Sequence, residues 1–474
     1  MKLKSFLWGL GLAFLVGAGV ASCTASADGQ SRELTRFTSL YDYYVDPAAL
    51  AEEKRVQADL FRSVARRIQV GYVSPTDPKQ LVDHAIRAVE DLKAAPGSAA
   101  PNKIVETGLN AMLASLDPHS NLLTPEQYRD MAASTKGEFG GLGIEIAQEN
   151  ELIKVVAPID DTPAAKAGLK PGDFITHVDD ASIKGMALAQ AVKRLRGPPN
   201  TTVRVTISRG ETQTFTVALV RAIIVVKPVR ARLEGEIGYI RLTSFNEHAD
   251  EALKTAVADL ERQAGPRIKG YVLDLRNNAG GLLDQAVKVT DAFLEAGEVV
   301  SIKSRRSGEE RHKAGPGDLA RGKPVVVLIN AGSASASEIV AGAFQDHRRG
   351  VVIGVTSFGK GSVQTIMPLD QGYALKLTTA LYYTPAGRSI QARGIEPDLV
   401  ITGDPAEVKR EADLSHALPA SAAVTRKPPP SLPESACPAI GDGKDKLLGC
   451  GVALAKIGQL DRFLAQTLPT TAAR

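Results

Sequence analysis

The chain has 474 residues, 44% of them hydrophobic and 23% charged, which supports two or three domains with buried cores and excludes a disordered or fibrous chain. Its formal net charge of +4 arises from 57 basic and 53 acidic side chains. That balance is too even for nucleic acid or an anionic membrane to be the main partner.

Lys2 and Lys4 precede an apolar stretch from Phe6 to Val20, and small residues follow from Ala21. This is the pattern of a secretory signal, so residues 1–27 are expected to direct export to the bacterial periplasm or cell envelope, with cleavage after Ala27. Val20-Ala21-Ser22-Cys23 also resembles a lipobox. On that reading the signal ends at 22 and Cys23 carries a lipid anchor. An uncleaved membrane anchor fits less well, because the stretch is Gly-rich and lacks a stop-transfer charge cluster close behind it. With Cys23 removed or acylated, two of the three cysteines remain. Cys437 and Cys450 could then bridge in an oxidising compartment or stand as buried thiols.

Residues 33–136 read as a helical N-terminal region: Leu60, Val64 and Ile68 recur every four residues, and Val82, Ile86 and Val89 follow the same face. These stripes could close on themselves or pair with a second copy of the chain. A break at Ala94 to Pro101 interrupts them. Residues 137–222 change to short alternating runs, among them Ile153 to Val156, Phe174 to Val178 and Val203 to Ile207, with one helical face at Leu188, Val192 and Leu195. A small β-rich domain is expected. Across 223–403, strand-like Tyr271 to Leu275, Val325 to Ile329 and Val351 to Val355 alternate with helical runs near 281–295 and 337–347. That is the pattern of a parallel sheet with crossover helices. The Pro- and Ala-rich segment 404–435 reads as a linker, and 436–474 as a helical tail.

In a parallel sheet, ligands bind beyond the carboxyl ends of the strands. Three loops should therefore meet: Arg276 to Gly281, Asn330 to Ser337 and Thr356 to Gln364. The second loop holds Ser333, Ser335 and Ser337 at a helix start, where small neighbours let a substrate approach a nucleophilic hydroxyl. Ser335 and Glu338 also have capping-box spacing, which alone would explain a serine there. The third loop brings Lys360 between Gly359 and Gly361; a partly buried lysine has a depressed pKa and can take a proton from a hydroxyl. Gln364 could hold that amine in its neutral form. Backbone N–H groups of Asn277 to Gly281, with that of Ala336, suit a developing oxyanion.

Ser-Ala-Ser-Ala-Ser-Glu at 333–338, Phe-Gly-Lys-Gly-Ser-Val-Gln at 358–364, Tyr-Tyr-Thr-Pro-Ala-Gly-Arg-Ser-Ile-Gln at 382–391 and Gly-Ile-Glu-Pro-Asp at 394–398 resemble the carboxyl-terminal processing peptidases, an S41-type family of serine peptidases. Leu-Asp-Pro-His-Ser at 116–120 and Gly-Glu-Phe-Gly-Gly-Leu-Gly-Ile at 137–144 fit as well, so the resemblance spans roughly 105–402. It implies a crotonase- or Clp-like α/β protease core with an inserted PDZ-like domain. It also implies Ser335 as nucleophile, Lys360 as general base, Gln364 as the orienting partner, and Gly280 with Ala336 as the oxyanion hole. In the PDZ-like module it assigns Gly141, Leu142, Gly143 and Ile144 to a peptide's terminal carboxylate, and Arg196 to signalling occupancy. Ala279 and Asn200 depart from the family, which commonly has Pro and Gly there.

The resemblance implies polypeptide substrates with apolar carboxyl termini and no cofactor, and leaves room for an adaptor or activator protein and for homo-oligomers. No metal-ligand spacing, phosphate loop or interleaved basic-aromatic surface is found in the sequence. Two rival readings remain at this point: His119 as the base of a Ser/His/Asp arrangement, and a non-enzymatic module that only binds chain ends.

Overall fold

The computed structural model describes residues 31–149, 151–210, 213–403, 409–420, 427–441 and 443–467. The signal segment expected at 1–27 lies outside the described residues.

A seven-stranded sheet organises the core, and its strands lie side by side in chain order: Val229–Glu234, Ile237–Leu242, Gly270–Asp274, Val325–Ile329, Val351–Gly354, Leu399–Thr402 and Ser431–Pro433. The first pair is antiparallel and every later pair is parallel. Parallel neighbours need crossovers, supplied here by helices Ala249–Ala264, Leu283–Asp291 and Ala336–Asp346. A single crossover hand applied to strands in chain order puts all three helices on one face. Strand alternation agrees with this: Tyr271, Leu273, Val325, Val327 and Ile329 pack with Leu253, Val289, Val340 and Phe344, whereas Val272, Val326 and Leu328 face the other way.

That other face is covered by the chain's own C-terminal part, which corrects the reading of 404–435 as a linker. Ser431–Pro433 is the edge strand of the sheet, and Glu411 is fully buried. Helix Lys446–Ile457 then lays Leu448, Cys450 and Leu454 against Val272, Val326 and Leu328. Asp445 caps this helix through the Leu448 N–H at 3.0 Å and pairs with Arg276 at 2.7 Å. Cys437 and Cys450 are disulfide-bonded. A three-residue strand ending in proline carries too few apolar positions to show a period, and proline is tolerated on an edge.

A second sheet was not legible in the sequence. Asn121–Leu123, Ala374–Tyr383, Gly297–Ser304 and Gly308–Ala314 follow in that order, and Ser362–Pro368 also pairs with Ala374–Tyr383. Leu375 and Leu377 of its long strand, with Tyr373 just before it, pack against Phe61, Val64, Ile68, Val105 and Leu109 of the N-terminal helices. Leu60, Val82 and Val89 are buried in the same cluster, so these stripes close within the chain.

The β-rich module is joined to the core by an antiparallel ribbon of Glu138–Gly141 with Ala222–Val225. Its own sheet runs Ile144–Glu149, Leu152–Pro158, Phe174–Val178, Thr202–Arg209, Gln213–Val220, with Ala181–Ser182 on Phe174–Val178. Helix Leu188–Leu195 packs Ala191 and Leu195 into this core. Asn200 takes φ 66°, a conformation that asparagine tolerates where the family commonly has glycine.

Candidate active site

The three loops leave the sheet at one edge and are cross-linked there. Ala334 N–H donates to the Asn278 carbonyl at 3.0 Å, Phe358 N–H to the Ser333 carbonyl at 3.0 Å, and Asn277 N–H to Asn330 Oδ1 at 2.9 Å. The three serines of the middle loop then part company. Ser333 is fully buried, its hydroxyl donating to the Leu275 carbonyl at 2.8 Å; Ser337 is equally buried and donates to the Asn278 carbonyl at 2.8 Å. Both hydroxyls are committed to holding the loops. Ser335 alone is partly exposed, and it lines a cleft of about 650 Å³.

Ser335 precedes helix Ala336–Asp346 with φ 54° and ψ −112°, a strained conformation for a residue with a Cβ, costing about 1–3 kcal/mol. The helix cap works mainly through Glu338, whose Oε2 accepts the Ser335 N–H at 2.7 Å, while the Glu338 N–H goes to the Ser335 carbonyl at 2.9 Å. Gly280 packs directly on this turn. A Cβ there would sit 2.9 Å from the Ala334 carbonyl oxygen, 2.9 Å from Ser335 Cβ and 3.0 Å from Ala336 N, and its φ is +102°. Only glycine fits.

Lys360 lines the same cleft from the third loop. Burial, then the neighbouring Lys376 ammonium, lower its pKa to about 8, against the opposing pull of Glu411, Glu338 and Asp117. Lys376 itself lines the cleft and is likewise lowered by burial. Such an amine is substantially neutral near pH 8.

Two expectations are corrected. Gln364 lines the cleft, but its amide nitrogen donates to the Ser362 hydroxyl at 2.9 Å and the Thr378 hydroxyl at 3.2 Å rather than meeting Lys360. It stitches the Ser362–Pro368 strand to its neighbour, whose side chains are invisible to a reading confined to one loop. Gly280 packs on the Ser335 turn, yet its N–H, expected to serve an oxyanion, is taken by Asn278 Oδ1 at 2.9 Å. Asparagine two residues ahead of a glycine forms this side-chain turn readily. The Ala336 N–H, at the helix start, has no partner among the described residues.

A profile of peptidase family S41 matches residues 236–401, and a PDZ-domain profile matches residues 140–219. The carboxy-terminal-processing protease of Bartonella bacilliformis is 57% identical over 302 residues, 63% of this chain and 70% of that one. The carboxyl-terminal-processing protease of Synechocystis sp. is 39% identical over 306 residues, 62% of this chain and 70% of that one. Among solved structures, a photosystem II D1 C-terminal processing protease is 31% identical with a TM-score of 0.46, covering 74% of this chain and 93% of that one. The chain belongs to peptidase family S41, the carboxyl-terminal processing proteases.

Within this S41 protease, the PDZ residues named from the sequence fall together. Gly141, Leu142, Gly143, Ile144 and Arg196 line one cavity of about 190 Å³ with Phe139, Ile146 and Val192. Strand Ile144–Glu149 ends the module's sheet order, which leaves it an edge suited to receiving an extended peptide. The Arg196 guanidinium lies 4.1 Å from the Phe139 ring centroid, and Phe139 belongs to the ribbon that leads to the protease core.

His119 is not among the residues lining the cleft. Its Nε2 lies 2.8 Å from Glu411 Oε2, whose Oε1 accepts from Gln391 Nε2 at 2.9 Å; Gln391 Oε1 in turn accepts the Gly361 N–H at 3.0 Å. The turn Asp117 to Ser120 therefore props the Lys360 loop from behind. Sequence reasoning missed Glu411 in this role, and missed Lys376 as the cleft-lining cation beside Lys360. It also missed Tyr382, a buried residue lining the cleft whose hydroxyl donates to the Lys360 carbonyl.

Proposed function

We propose that this chain is an exported serine endopeptidase that cleaves polypeptides near or from their carboxyl termini with a Ser335–Lys360 dyad. The observation that carries the reading is the pairing in one cleft of the one partly exposed serine of the middle loop's three with a lysine whose pKa burial has lowered to about 8. Neutral Lys360 takes the Ser335 proton as Oγ attacks the peptide carbonyl; the ammonium then returns it to the departing amine. Water hydrolyses the resulting acyl-enzyme. The Ala336 N–H faces the oxyanion, and Gly280 can join it only when Asn278 releases its N–H. Gln364 orients the cleft wall through Ser362 and Thr378. The scheme calls on no metal or cofactor.

The PDZ cavity would take the substrate's chain end, with the terminal carboxylate at Gly141 to Ile144 and apolar side chains toward Val192 and Leu195. Arg196 would report occupancy through Phe139. An adaptor or activator protein and self-association are compatible with this scheme. Export, soluble or lipid-anchored through Cys23, is supported by the Cys437–Cys450 disulfide, because such bonds persist in oxidising compartments.

The test compares the full chain with Ser335→Ala and Lys360→Ala on an unfolded polypeptide ending in apolar residues. Both variants should lose cleavage while retaining the fold. Equal cleavage by wild type and Ser335→Ala would sink the mechanism. Retained peptide binding by all three without any cleavage in wild type would favour the binding-module reading.

A further inference from the structure

The two loops that carry the dyad come from different crossovers, yet one side chain holds both. Glu338 is fully buried. Its Oε2 accepts the Ser335 N–H at 2.7 Å and the Lys360 N–H at 2.9 Å; its Oε1 accepts the Gly359 N–H at 2.7 Å and the Ser357 hydroxyl at 2.5 Å. An ionised carboxylate offers about four lone-pair sites, and all are filled by donors. Ser357 Oγ already accepts the Ile395 N–H at 2.6 Å, so accepting from Glu338 as well would fill its second lone pair and turn its own hydrogen away from the carboxylate.

We propose that Glu338 is a positioning residue whose ionised carboxylate latches the Ser335 turn to the Lys360 loop, and that protonating it opens the latch. The proposal rests on the dyad reading above. A proton on Oε2 would point at the N–H of Ser335 or Lys360; a proton on Oε1 would point at that of Gly359 or at Ser357 Oγ, whose own hydrogen then loses its carboxylate acceptor, so at least one of the four bonds is lost in every case. The titratable groups that interact electrostatically with Glu338 are Lys360 on the base loop and Tyr382 on strand Ala374–Tyr383, both of which also feel Glu411; Arg410 and Glu411 sit on the turn that binds the Ser357 and Phe358 carbonyls. Burial raises the Glu338 pKa to about 7, outweighing the four donors. The latch therefore opens in mild acid.

Acid then acts twice in the same direction, because activity needs Lys360 neutral and Glu338 ionised. The full-length enzyme should show log(kcat/KM) rising with a slope of about 1 just below pH 8 and of about 2 below pH 7. Glu338→Gln cannot ionise and opposes an NH₂ group to one pair of donors. It should lose about tenfold or more in kcat, with KM within about twofold, and should show a slope of about 1 throughout. Glu338→Asp should restore the steeper limb at a lower rate. A role in stability alone would change thermal unfolding and leave the slope untouched. The proposal is overturned if wild type keeps a slope of about 1 down to pH 5.5 while folded, a result that needs no variant to fold. A Gln variant retaining the steeper limb overturns it equally. Ser335→Ala and Lys360→Ala in the same assay separate the two readings: activity surviving there removes the dyad, whereas inactive dyad variants beside an unaffected Glu338→Gln remove only the latch.

Discussion

Replacing His119 by alanine distinguishes a base from a prop. In the structure His119 Nε2 sits 2.8 Å from Glu411 Oε2, and Glu411 is fully buried with its other oxygen on Gln391. Alanine leaves that buried oxygen without its partner, a loss of about 1–3 kcal/mol. For a domain of 150–250 residues each kcal/mol moves the unfolding midpoint by about 2–4 °C, so a fall of about 5 °C is expected. The catalytic loss should be smaller than for a base, about tenfold or less, because His119 reaches Lys360 only through Glu411, Gln391 and the Gly361 N–H. Removing the base itself should cost at least about a hundredfold. The assay is kcat on an unfolded polypeptide, with thermal unfolding measured on the same preparations of His119→Ala and Lys360→Ala. Abolished cleavage in His119→Ala with an unchanged midpoint, alongside an active Lys360→Ala, would refute the reasoning.

Lys376→Met removes a cation that holds the Lys360 pKa down; the Lys360 pKa then rises, and the rising limb of kcat/KM should move to higher pH. A limb that stays put, or moves down, would show that the two ammonium groups do not interact. Gly280→Ala places a methyl within 2.9 Å of Ser335 Cβ at a φ of +102°, and should cost about 1–3 kcal/mol of stability with a loss in kcat of about a hundredfold, read by unfolding and steady-state kinetics. Cys437→Ser opens a bridge of sequence separation 13, worth about 3 kcal/mol by loop entropy. The unfolding midpoint should fall while kcat at room temperature is unchanged, since the bridge lies on the face of the sheet away from the three helices.

Much of the chemistry was legible because it follows from strand direction. Val325–Ile329 was expected to the residue, and its neighbours shifted by one position at most. Once those strands are parallel, right-handed crossovers bring Ser335 and Lys360 to the same edge. What a one-dimensional pattern could not choose was which serine. Ser333 and Ser337 are distinguished from Ser335 only by where their hydroxyls point, to the Leu275 and Asn278 carbonyls. Those acceptors lie nearly 60 residues away in the chain, so no spacing rule reaches them.

The same limit explains the residues that were missed, and it has a direction. Periodicity reports burial against a neighbouring face, so it finds the Leu60, Val64 and Ile68 stripe and the helix Ala336–Asp346. A buried carboxylate has no period. Glu338 looked like half of a capping box because its partner three residues back is the only one visible locally, whereas the Ser357, Gly359 and Lys360 donors arrive from the next crossover. Glu411 looked like part of a linker for the same reason, since His119 and Gln391 are 292 and 20 residues away. Burying a carboxyl is costly unless it is hydrogen-bonded on every side. Isolated acidic residues beside glycine-rich or proline-rich loops are therefore where sequence reading should look for the ties that hold a site together.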